Sequence, residues 1–336
     1  MDGIGKVDAE FLAATVYDRV GAAREDVAVG PGHGIDFGVV TVGEQAVAMA
    51  ADPLFVPLEL GVERAAWYGL HIVLSDVALS GLAPTHLAVT VTLPADADLD
   101  TFAAVWTHVH EAAAAENVAI ATGHTGRYEG CGYPYIGGGT AMAVGDPADV
   151  IVPTDAAPGD AVLVTQGPAV ETVGVLATRF GDRLPVDDAT LAAARDRFWE
   201  ISVVDDARIA ADTGAVTAMH DATERGLDNA FHELAAAAGV ALDVDRAAVP
   251  VGPGVQAVCE ALDIDPWTAS SEGTVVLTVD PDGVDAVLEA FAAADVRAAR
   301  VGTVREGTGV TVDGAPLSEP TTDPFWAAYT RLADRG

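Results

Sequence analysis

Cysteine is scarce in this sequence, which contains only Cys131 and Cys259. Two cysteines cannot form the disulfide framework of a small secreted domain, and the absence of a Cys-x-x-Cys pair argues against a redox or zinc site. Walker A, Gly-x-Ser-x-Gly and His-Glu-x-x-His motifs are absent too, which argues against the enzyme classes that they mark. We therefore predict a cytoplasmic protein in which both cysteines are packed as small, unreactive side chains.

Positive charge is also scarce, because 17 Lys and Arg residues face 51 Asp and Glu residues, and Lys6 is the only lysine. Nucleic-acid binding needs clusters of Lys and Arg, which the sequence lacks. A formal charge of −34 causes self-repulsion at ordinary ionic strength, whereas at about 1 M salt the Debye length falls to about 3 Å. The composition indicates a halophilic protein of a very salty cytoplasm; an acidic protein that binds a cationic partner is the alternative.

Long apolar runs are missing. No stretch of about 18 apolar residues lacks a charge or a cluster of Gly and Pro, so we predict no membrane span. The start of the chain has no basic segment followed by an apolar run, and we expect no signal peptide. A chain of 336 residues usually forms more than one core. Prolines and acids accumulate in residues 145–160, which predicts a boundary between domains 1–150 and 151–336.

Strand and helix patterns occur in both halves of the sequence. Period-two alternation in residues 37–42 and 45–51, around Gly43 and Glu44, predicts a β-hairpin. The other predicted strands are 85–93, 118–123, 161–167, 215–221, 273–280 and 297–304, and the predicted helices are 61–81, 99–117, 187–213, 227–239 (with Gly239 as its C-cap) and 282–294. This order predicts a two-domain protein of the α+β or α/β class.

One acid interrupts the apolar face of the helix predicted over 61–81. Gly69, Val73, Asp76 and Ser80 follow the spacing of a single helix face. No Lys or Arg lies within one turn of Asp76, and an uncompensated buried carboxylate is costly. Asp76 is therefore predicted to be capped, protonated, paired or bound to a metal. The alternative is that it faces solvent or caps a broken helix.

Other acids stand beside predicted strands. Asp36 precedes a strand, Asp52 stands where a strand is predicted to end in Asp-Pro, and Asp221 ends a strand before a strand-to-helix turn. Each alone is more often a turn former or an N-cap. Together they favour a Mg²⁺ site completed by water and phosphate oxygens. The sequence Gly-His-Thr at 123–125 is predicted to form a phosphate-binding turn, the alternative being a loop with an incidental histidine.

Six stretches, in this order, resemble motifs of the aminoimidazole ribonucleotide (AIR) synthase superfamily, and the match covers nearly the whole chain. They are "GPGHGIDFGVV", "AADPLF", "SDVALSGLAPTHLAVTVTLP", "ATGHT", "MHDATERGL" and "SSEGTVVLTV". Each stretch alone is a weak signal, whereas six in register are a strong one. The start "GKVDAEFLAATVYDRVGA" and the stretch "AVCEALDIDP" are most similar to HypE-like, AIR-synthase-related proteins of archaea.

The resemblance implies a fold and a set of site residues. The N-terminal domain would form a barrel with the strands of a second subunit, and the C-terminal domain would be α/β. ATP would bind near the interface of a homodimer, at Gly34, Asp36, Asp52, Gly123, His124 and Thr125. The resemblance also implies that Asp36, Asp52 and Asp76 hold Mg²⁺, and that Asp221, Thr223 and Glu272 stand in the catalytic cleft. Arg225 is the nearby candidate for neutralising the transferred phosphoryl group, with a surface ion pair as the alternative.

The common chemistry of the superfamily is phosphorylation of an oxygen or related nucleophile by ATP. We therefore predict a Mg²⁺- and ATP-dependent enzyme that activates a small molecule or an acyl oxygen, and that binds neither nucleic acid nor membranes. A small-molecule kinase of the thiamine-phosphate type and a non-catalytic ATP-binding maturation factor are the alternatives. The sequence departs from the family's motifs at Ser75, Ala222 and Arg225, and it has no cysteine in its final residues "YTRLADRG", so a role in hydrogenase maturation is left open.

Overall fold

The computed structural model describes residues 7, 9–17, 19–131 and 135–334; Lys6 and the last two residues lie outside this part. Two compact units make up the chain. The N-terminal unit comprises Glu25–Gly30 and Asp36–Val150, and the C-terminal unit comprises the described residues of Met1–Arg24, Pro31–Ile35 and Ile151–Gly336. Segments before Asp36 therefore contribute to both units. A single boundary between residues 150 and 151 does not describe this arrangement.

The elements are numbered in chain order. The helices are α1 (Ala9–Leu12, continued by a π-turn over Ala13–Tyr17), α2 (Val62–Ala78), α3 (Leu99–Ala115), α4 (Val170–Phe180), α5 (Asp188–Asp196), α6 (Val204–Ala211), α7 (Gly226–Ala238), α8 (Val255–Leu262), α9 (Val284–Ala293) and α10 (Pro324–Ala333). The strands are β1 (Val27–Val29), β2 (Gly38–Val42), β3 (Gln45–Val56), β4 (Pro84–Pro94), β5 (Ala119–Tyr128), β6 (Tyr135–Gly145), β7 (Ala161–Thr165), β8 (Val216–Asp221), β9 (Ala241–Val244), β10 (Val275–Val279), β11 (Ala298–Arg305), β12 (Gly309–Val312) and β13 (Ala315–Pro316).

The N-terminal unit is built on a sheet whose described strands run in the order β1-β2-β3-β6-β4-β5. β4 and β5 pair in parallel, and the other neighbours are antiparallel. The predicted hairpin is confirmed as β2 and β3, and Gly43 takes a φ of +65° in its turn, a conformation that favours glycine. Leu70 and Leu74 of α2 are fully buried, because this helix covers one face of the sheet.

Two predicted strand ends in this unit were wrong. β3 does not end at Asp52 and Pro53 but continues to Val56. Its pairing with β2 stops at Met49, so beyond that point β3 is hydrogen-bonded only to β6. A proline without an N–H group is tolerated on such a free edge. β5 likewise continues to Tyr128, because its pairing with β4 extends over that whole length.

The C-terminal unit is built on a second sheet, whose described strands run in the order β13-β12-β9-β11-β7-β10-β8. β9 and β12 pair in parallel, and the other neighbours are antiparallel. Every residue of β7 and β10 is buried. The predicted helix after β8 is confirmed as α7, and Gly239 ends it with a φ of +67°, as a glycine C-cap does. None of the described helices combines the length and apolarity of a membrane span.

Candidate functional site

The first group of predicted site residues lies where β8 ends. Asp221 is the last residue of β8 and pairs with Val275 of β10. Its side chain is only 1% exposed, although removing a carboxylate from water is costly. β8 is at the edge of its sheet, and from there the chain turns through residues 222–225 into α7. The predicted strand end and strand-to-helix turn are therefore confirmed.

The turn that follows Asp221 is held tightly. The Thr223 carbonyl accepts hydrogen bonds from the backbone N–H groups of Gly226 (3.1 Å) and Ser271 (3.2 Å). Arg225 and Gly226 take left-handed φ angles of +63° and +64°. A Cβ atom on Gly226 would lie 2.5 Å from the Ala269 carbonyl oxygen, so only glycine fits at this position. Steric exclusion of a side chain therefore explains why glycine occupies position 226 of the family-like motif.

Glu272 belongs to the segment that enters β10, the neighbour of β8. It is 5% exposed. The bond from the Ser271 N–H to the Thr223 carbonyl joins this segment directly to the turn after β8. Asp221, Thr223 and Glu272, which the resemblance placed together, thus lie at the same end of the β8–β10 pair. Two buried carboxylates and a threonine are suited to orienting a polar substrate and exchanging a proton with it.

Arg225 has contacts that bear on its predicted role. Its Nη1 lies 3.4 Å from the Pro320 carbonyl oxygen and 3.7 Å from a Glu319 carboxylate oxygen. Its backbone N–H donates to Asp323 Oδ2 at 2.7 Å. The ion pair that was the alternative reading of Arg225 is therefore present, and its action on a phosphoryl group stays a prediction.

Sequence reasoning missed a buried polar pair beside Asp221. His220 of β8 places Nε2 3.1 Å from Glu233 Oε2 of α7, and both side chains are buried. The sequence contains a signal for this pair. A histidine in the apolar strand pattern "VTAMHD" and a glutamate on the buried face of α7 are both unusual in a core. The contact between these two side chains joins β8 to α7 next to the turn.

Titratable groups on the first turns of α7 have perturbed pKa values. Burial raises the pKa of Asp228 to about 6, although the nearby Arg246 opposes the shift. Arg246 Nη2 lies 3.8 Å from Asp228 Oδ1, and the same guanidinium lies 3.9 Å from the centre of the Trp267 ring. Burial lowers the pKa of His232. The helix that follows the Asp221 turn thus carries one carboxyl group with a raised pKa and one histidine with a lowered pKa.

The second group of predicted residues lies in the N-terminal unit, where α2 packs closely on β3 and β6. A Cβ atom on Gly139 of β6 would lie 2.4 Å from Val73 Cγ1 of α2. Asp52 is directly opposite Gly139 in the β3–β6 ladder, and paired residues point to the same face of a sheet. Asp52 therefore lies on the face that α2 covers. Asp76 follows Val73 by three residues on α2, so it lies over the same part of the sheet, and both acids are half-buried.

The glycine-rich stretch before β2 divides between the units. Asp36 is half-buried and precedes β2, whose first residue pairs with Met49, three positions before Asp52. Asp36, Asp52 and Asp76 all belong to the N-terminal unit and carry the hard oxygen ligands that Mg²⁺ prefers; that they hold one ion together stays a prediction. Gly34 belongs to the C-terminal unit. Its φ is +72°, and a Cβ atom there would lie 2.4 Å from the Glu233 carbonyl oxygen, so close packing on α7 explains this glycine.

The predicted phosphate-binding turn at 123–125 was wrong as a turn, because Gly123, His124 and Thr125 lie in the middle of β5. β5 is at the edge of its sheet and these residues are exposed. His124 Nε2 lies 2.7 Å from the Tyr128 hydroxyl. A Cβ atom on Gly123 would lie 2.5 Å from the Val89 carbonyl oxygen of β4, which explains the glycine by packing. Nucleotide binding at these residues stays a prediction.

Comparison with known proteins gives these residues a context. The sequence matches the N-terminal domain of AIR synthase related protein over residues 34–145 and the C-terminal domain of the same family over residues 157–314. The chain belongs to the AIR synthase-related family. The two matched domains lie on either side of the boundary between Val150 and Ile151.

Relatives of this AIR synthase-related chain include carbamoyl dehydratase HypE of Escherichia coli K12, which is 29% identical over 265 residues, or 78% of this chain and 76% of the relative. A putative hydrogenase expression/formation protein of Methanocaldococcus jannaschii is 23% identical over 290 residues, or 85% and 83% of the two chains. The crystal structure of E. coli HypE matches with a TM-score of 0.66 at 26% identity and covers 83% of this chain and 87% of that one. A thiamine-monophosphate kinase from Stenotrophomonas maltophilia matches the fold with a TM-score of 0.69 at 21% identity, over 87% of this chain and 93% of that one.

Proposed function

We propose that this protein is a Mg²⁺- and ATP-dependent enzyme that phosphorylates, and thereby activates, an oxygen of a small molecule or acyl group. The observation that carries the proposal is the pair of carboxylates Asp52 and Asp76, which approach the same part of one sheet face from a strand and from the helix above it. Two carboxylates on one sheet face can share a divalent cation, which would offset the charge of both. Family membership supports ATP as the nucleotide, since one HypE structure is a complex with ATP.

The residues present fit a magnesium site. Asp36, Asp52 and Asp76 would hold the ion, which when bound neutralises charge on the phosphates of ATP. The phosphoryl group passes from ATP to the acceptor oxygen, ADP leaves, and a proton from the acceptor needs a base. Asp221 and Glu272 are the buried carboxylates of the C-terminal unit proposed for that proton, and Thr223 for orienting the acceptor. Such transfer depends mainly on positioning and charge neutralisation.

The first experiment replaces one metal ligand. Asp76→Asn is expected to weaken Mg-ATP binding at least about tenfold while the fold survives, because it removes one charge from a Mg²⁺ ligand set. Titration calorimetry with Mg-ATP measures this, and Asp96→Asn, on an exposed loop of the same unit, is the matched control. Equal affinities for the two variants would overturn the metal assignment.

Product analysis distinguishes the alternatives. Release of ADP with a stable phosphorylated product indicates a kinase of the thiamine-phosphate type, whereas ADP and phosphate released with a dehydrated acceptor indicate chemistry like that of carbamoyl dehydratase. Binding of Mg-ATP without turnover in the presence of candidate metabolites indicates an accessory factor. Acceptors can be screened by the rise in melting temperature that they cause with Mg-ATP present.

The proposed assembly is a homodimer. The sheet of the N-terminal unit has an outer face, opposite α2, formed by Val47, Met49, Phe55, Met142 and Val144. Phe55 is 42% exposed and the other four are half-buried. An apolar sheet face of this kind is commonly covered by a partner. A second copy that packs there and closes a barrel supplies that cover.

We also propose that the protein works in a salty, reducing cytoplasm. The charge of −34 is tolerable where salt screens it. Among the described residues both cysteines are free, and Cys259 is buried, which fits a reducing compartment.

A further inference from the structure

The segment before α10 lies against the turn that follows Asp221. α10 itself is anchored in the C-terminal unit, because Phe325 and Leu332 are buried and the rings of Phe180 and Tyr329 lie 5.1 Å apart. The residues Glu319–Asp323 directly precede this anchored helix. We call them the strap.

One carboxylate of the strap binds three separate segments. Asp323 Oδ1 accepts hydrogen bonds from the backbone N–H groups of Phe325 (2.8 Å) and Ser270 (3.4 Å). Asp323 Oδ2 accepts from the Ser270 hydroxyl (2.6 Å) and from the Arg225 N–H (2.7 Å). The two oxygens therefore bind different elements. Oδ1 accepts the bond that caps α10, and Oδ2 accepts the bond from the Arg225 N–H in the turn.

The residue that Oδ2 holds is under strain. Arg225 has a φ of +63°, and a left-handed conformation costs a residue with a side chain roughly 1 kcal/mol or more. The strap also holds the Arg225 side chain through Pro320 and Glu319. Strained residues persist where surrounding contacts fix them, and they cluster at functional sites. Arg225 is fixed here through both its backbone and its side chain.

We propose that Asp323 is a positioning residue for the reaction: it locks the Thr223–Gly226 turn to the Ser270–Glu272 segment so that Thr223 and Glu272 keep their places. The positional part stands on the hydrogen bonds alone, and the part that concerns the reaction rests on the proposed function. The competing explanation is that Asp323 serves only as the N-cap of α10.

The protein contains a control for that explanation. Asp187 is the N-cap of α5, and its carboxylate accepts from Thr190 of its own helix. The same substitution can therefore be made at a cap whose carboxylate, within the described part of the chain, is hydrogen-bonded to its own helix. Asp323→Asn keeps an oxygen for the Phe325 N–H but turns an amide group toward the Arg225 N–H, where two donors face each other. Asp187→Asn alters a cap alone, and Ser270→Ala removes only the hydroxyl bond to Asp323.

The decisive measurement is backbone hydrogen exchange of the full-length chain. In Asp323→Asn we expect exchange in residues 222–226 and 270–274 to accelerate at least about tenfold, as the loss of a bond to a carboxylate implies. Residues 326–333 of α10 are expected to exchange as before, Ser270→Ala to show a smaller acceleration in the same two segments, and Asp187→Asn none. Unchanged exchange at 222–226, or acceleration confined to α10, would overturn the proposal. If Asp323→Asn unfolds globally, Ser270→Ala decides by the same criterion.

Kinetics tests the part that concerns the reaction. With saturating Mg-ATP, Asp323→Asn is expected to lower kcat for ADP release about tenfold and to change KM for Mg-ATP less than about twofold, because the predicted metal ligands lie in the other unit. Equal loss of kcat in Asp187→Asn would contradict a specific role for Asp323. If the wild-type protein neither binds nor turns over Mg-ATP, the proposed function fails, while the exchange result still decides whether Asp323 locks the turn.

Discussion

The two sheets of this protein differ in how completely the chain buries them. In the C-terminal unit β7 and β10 are buried at every position, so the helices of that unit cover both faces. In the N-terminal unit β3 alternates between buried and accessible residues, and β5 is accessible along most of its length. The sheet of one unit is covered on both faces, whereas the sheet of the other leaves an apolar face partly accessible, which the proposed dimer would cover.

The predicted site residues follow the same division. Asp52 and Asp76 stand on a regular strand and a regular helix, where the ladder and the packing of α2 set their positions. Thr223 and Glu272 stand in loops, where backbone hydrogen bonds and the Asp323 carboxylate set them. Loops that are held in this way keep their functional groups in a fixed geometry.

The largest expected effect on the difference between the two sheets is the loss of the proposed dimer. Met49 and Met142 face each other at the centre of the outer face, so Met49→Glu would bury an unpaired charge in the interface at a cost of several kcal/mol. We expect the dimer to dissociate at least about a hundredfold more readily, as measured by light scattering after gel filtration. Leu99→Glu, at a position 53% exposed on the helix side of the same unit, is expected to remain dimeric. A monomeric wild-type protein would show that no second copy covers the outer face of the N-terminal sheet.

The next effect concerns the tightness of the Asp221 turn. Gly226 and Gly239 begin and end α7 with φ angles of +64° and +67°, but a Cβ atom meets backbone oxygen at Gly226 and nothing within 4 Å at Gly239. Gly239→Ala is therefore expected to cost about 1 kcal/mol of unfolding free energy, the conformational penalty alone. Gly226→Ala adds a steric clash and is expected to cost about 3 kcal/mol or more. Urea denaturation measures the unfolding free energy of both variants. Equal losses would show that the turn can shift to accommodate a Cβ atom at position 226.

The fold could be predicted from the sequence wherever a pattern is local. The hairpin at Gly43, the helices α2 and α3, and the end of α7 at Gly239 follow from periodicity and from glycine's tolerance of positive φ. The ends of β3 and β5 were wrong, because Asp-Pro and Gly-His-Thr resemble turn sequences and only the pairing of distant strands keeps them extended. Tertiary pairing overrides local preference in such cases.

The candidate site could be predicted only in part, for a related reason. Asp221, Thr223 and Glu272 lie in motifs that can be read in the sequence, and the structure brings them to the same end of two neighbouring strands. Asp323 is 53 positions from Ser270 and 98 from Arg225, and an aspartate before a proline looks like an ordinary helix cap. Nothing local distinguishes a carboxylate that also binds two remote loops.

The smallest expected effect concerns how the two units respond to salt. Residues 36–150 contain only Arg64 and Arg127 against 14 acids, whereas residues 151–336 contain 12 arginines against 31 acids. Net charge per residue is nearly the same in the two ranges, −12 over 115 residues and −19 over 186, but the acids of residues 36–150 have fewer arginines near them to offset their mutual repulsion. This repulsion grows as the Debye length rises from about 3 Å at 1 M salt to about 10 Å at 0.1 M. Hydrogen exchange during thermal unfolding in KCl is expected to show β3 and β6 losing protection before β7 and β10 at 0.1 M, with the gap closing above 1 M. A melting temperature that is flat from 0.1 M upward would refute the halophilic interpretation, and simultaneous loss of both sheets at low salt would show that their different charge balance has no bearing on stability.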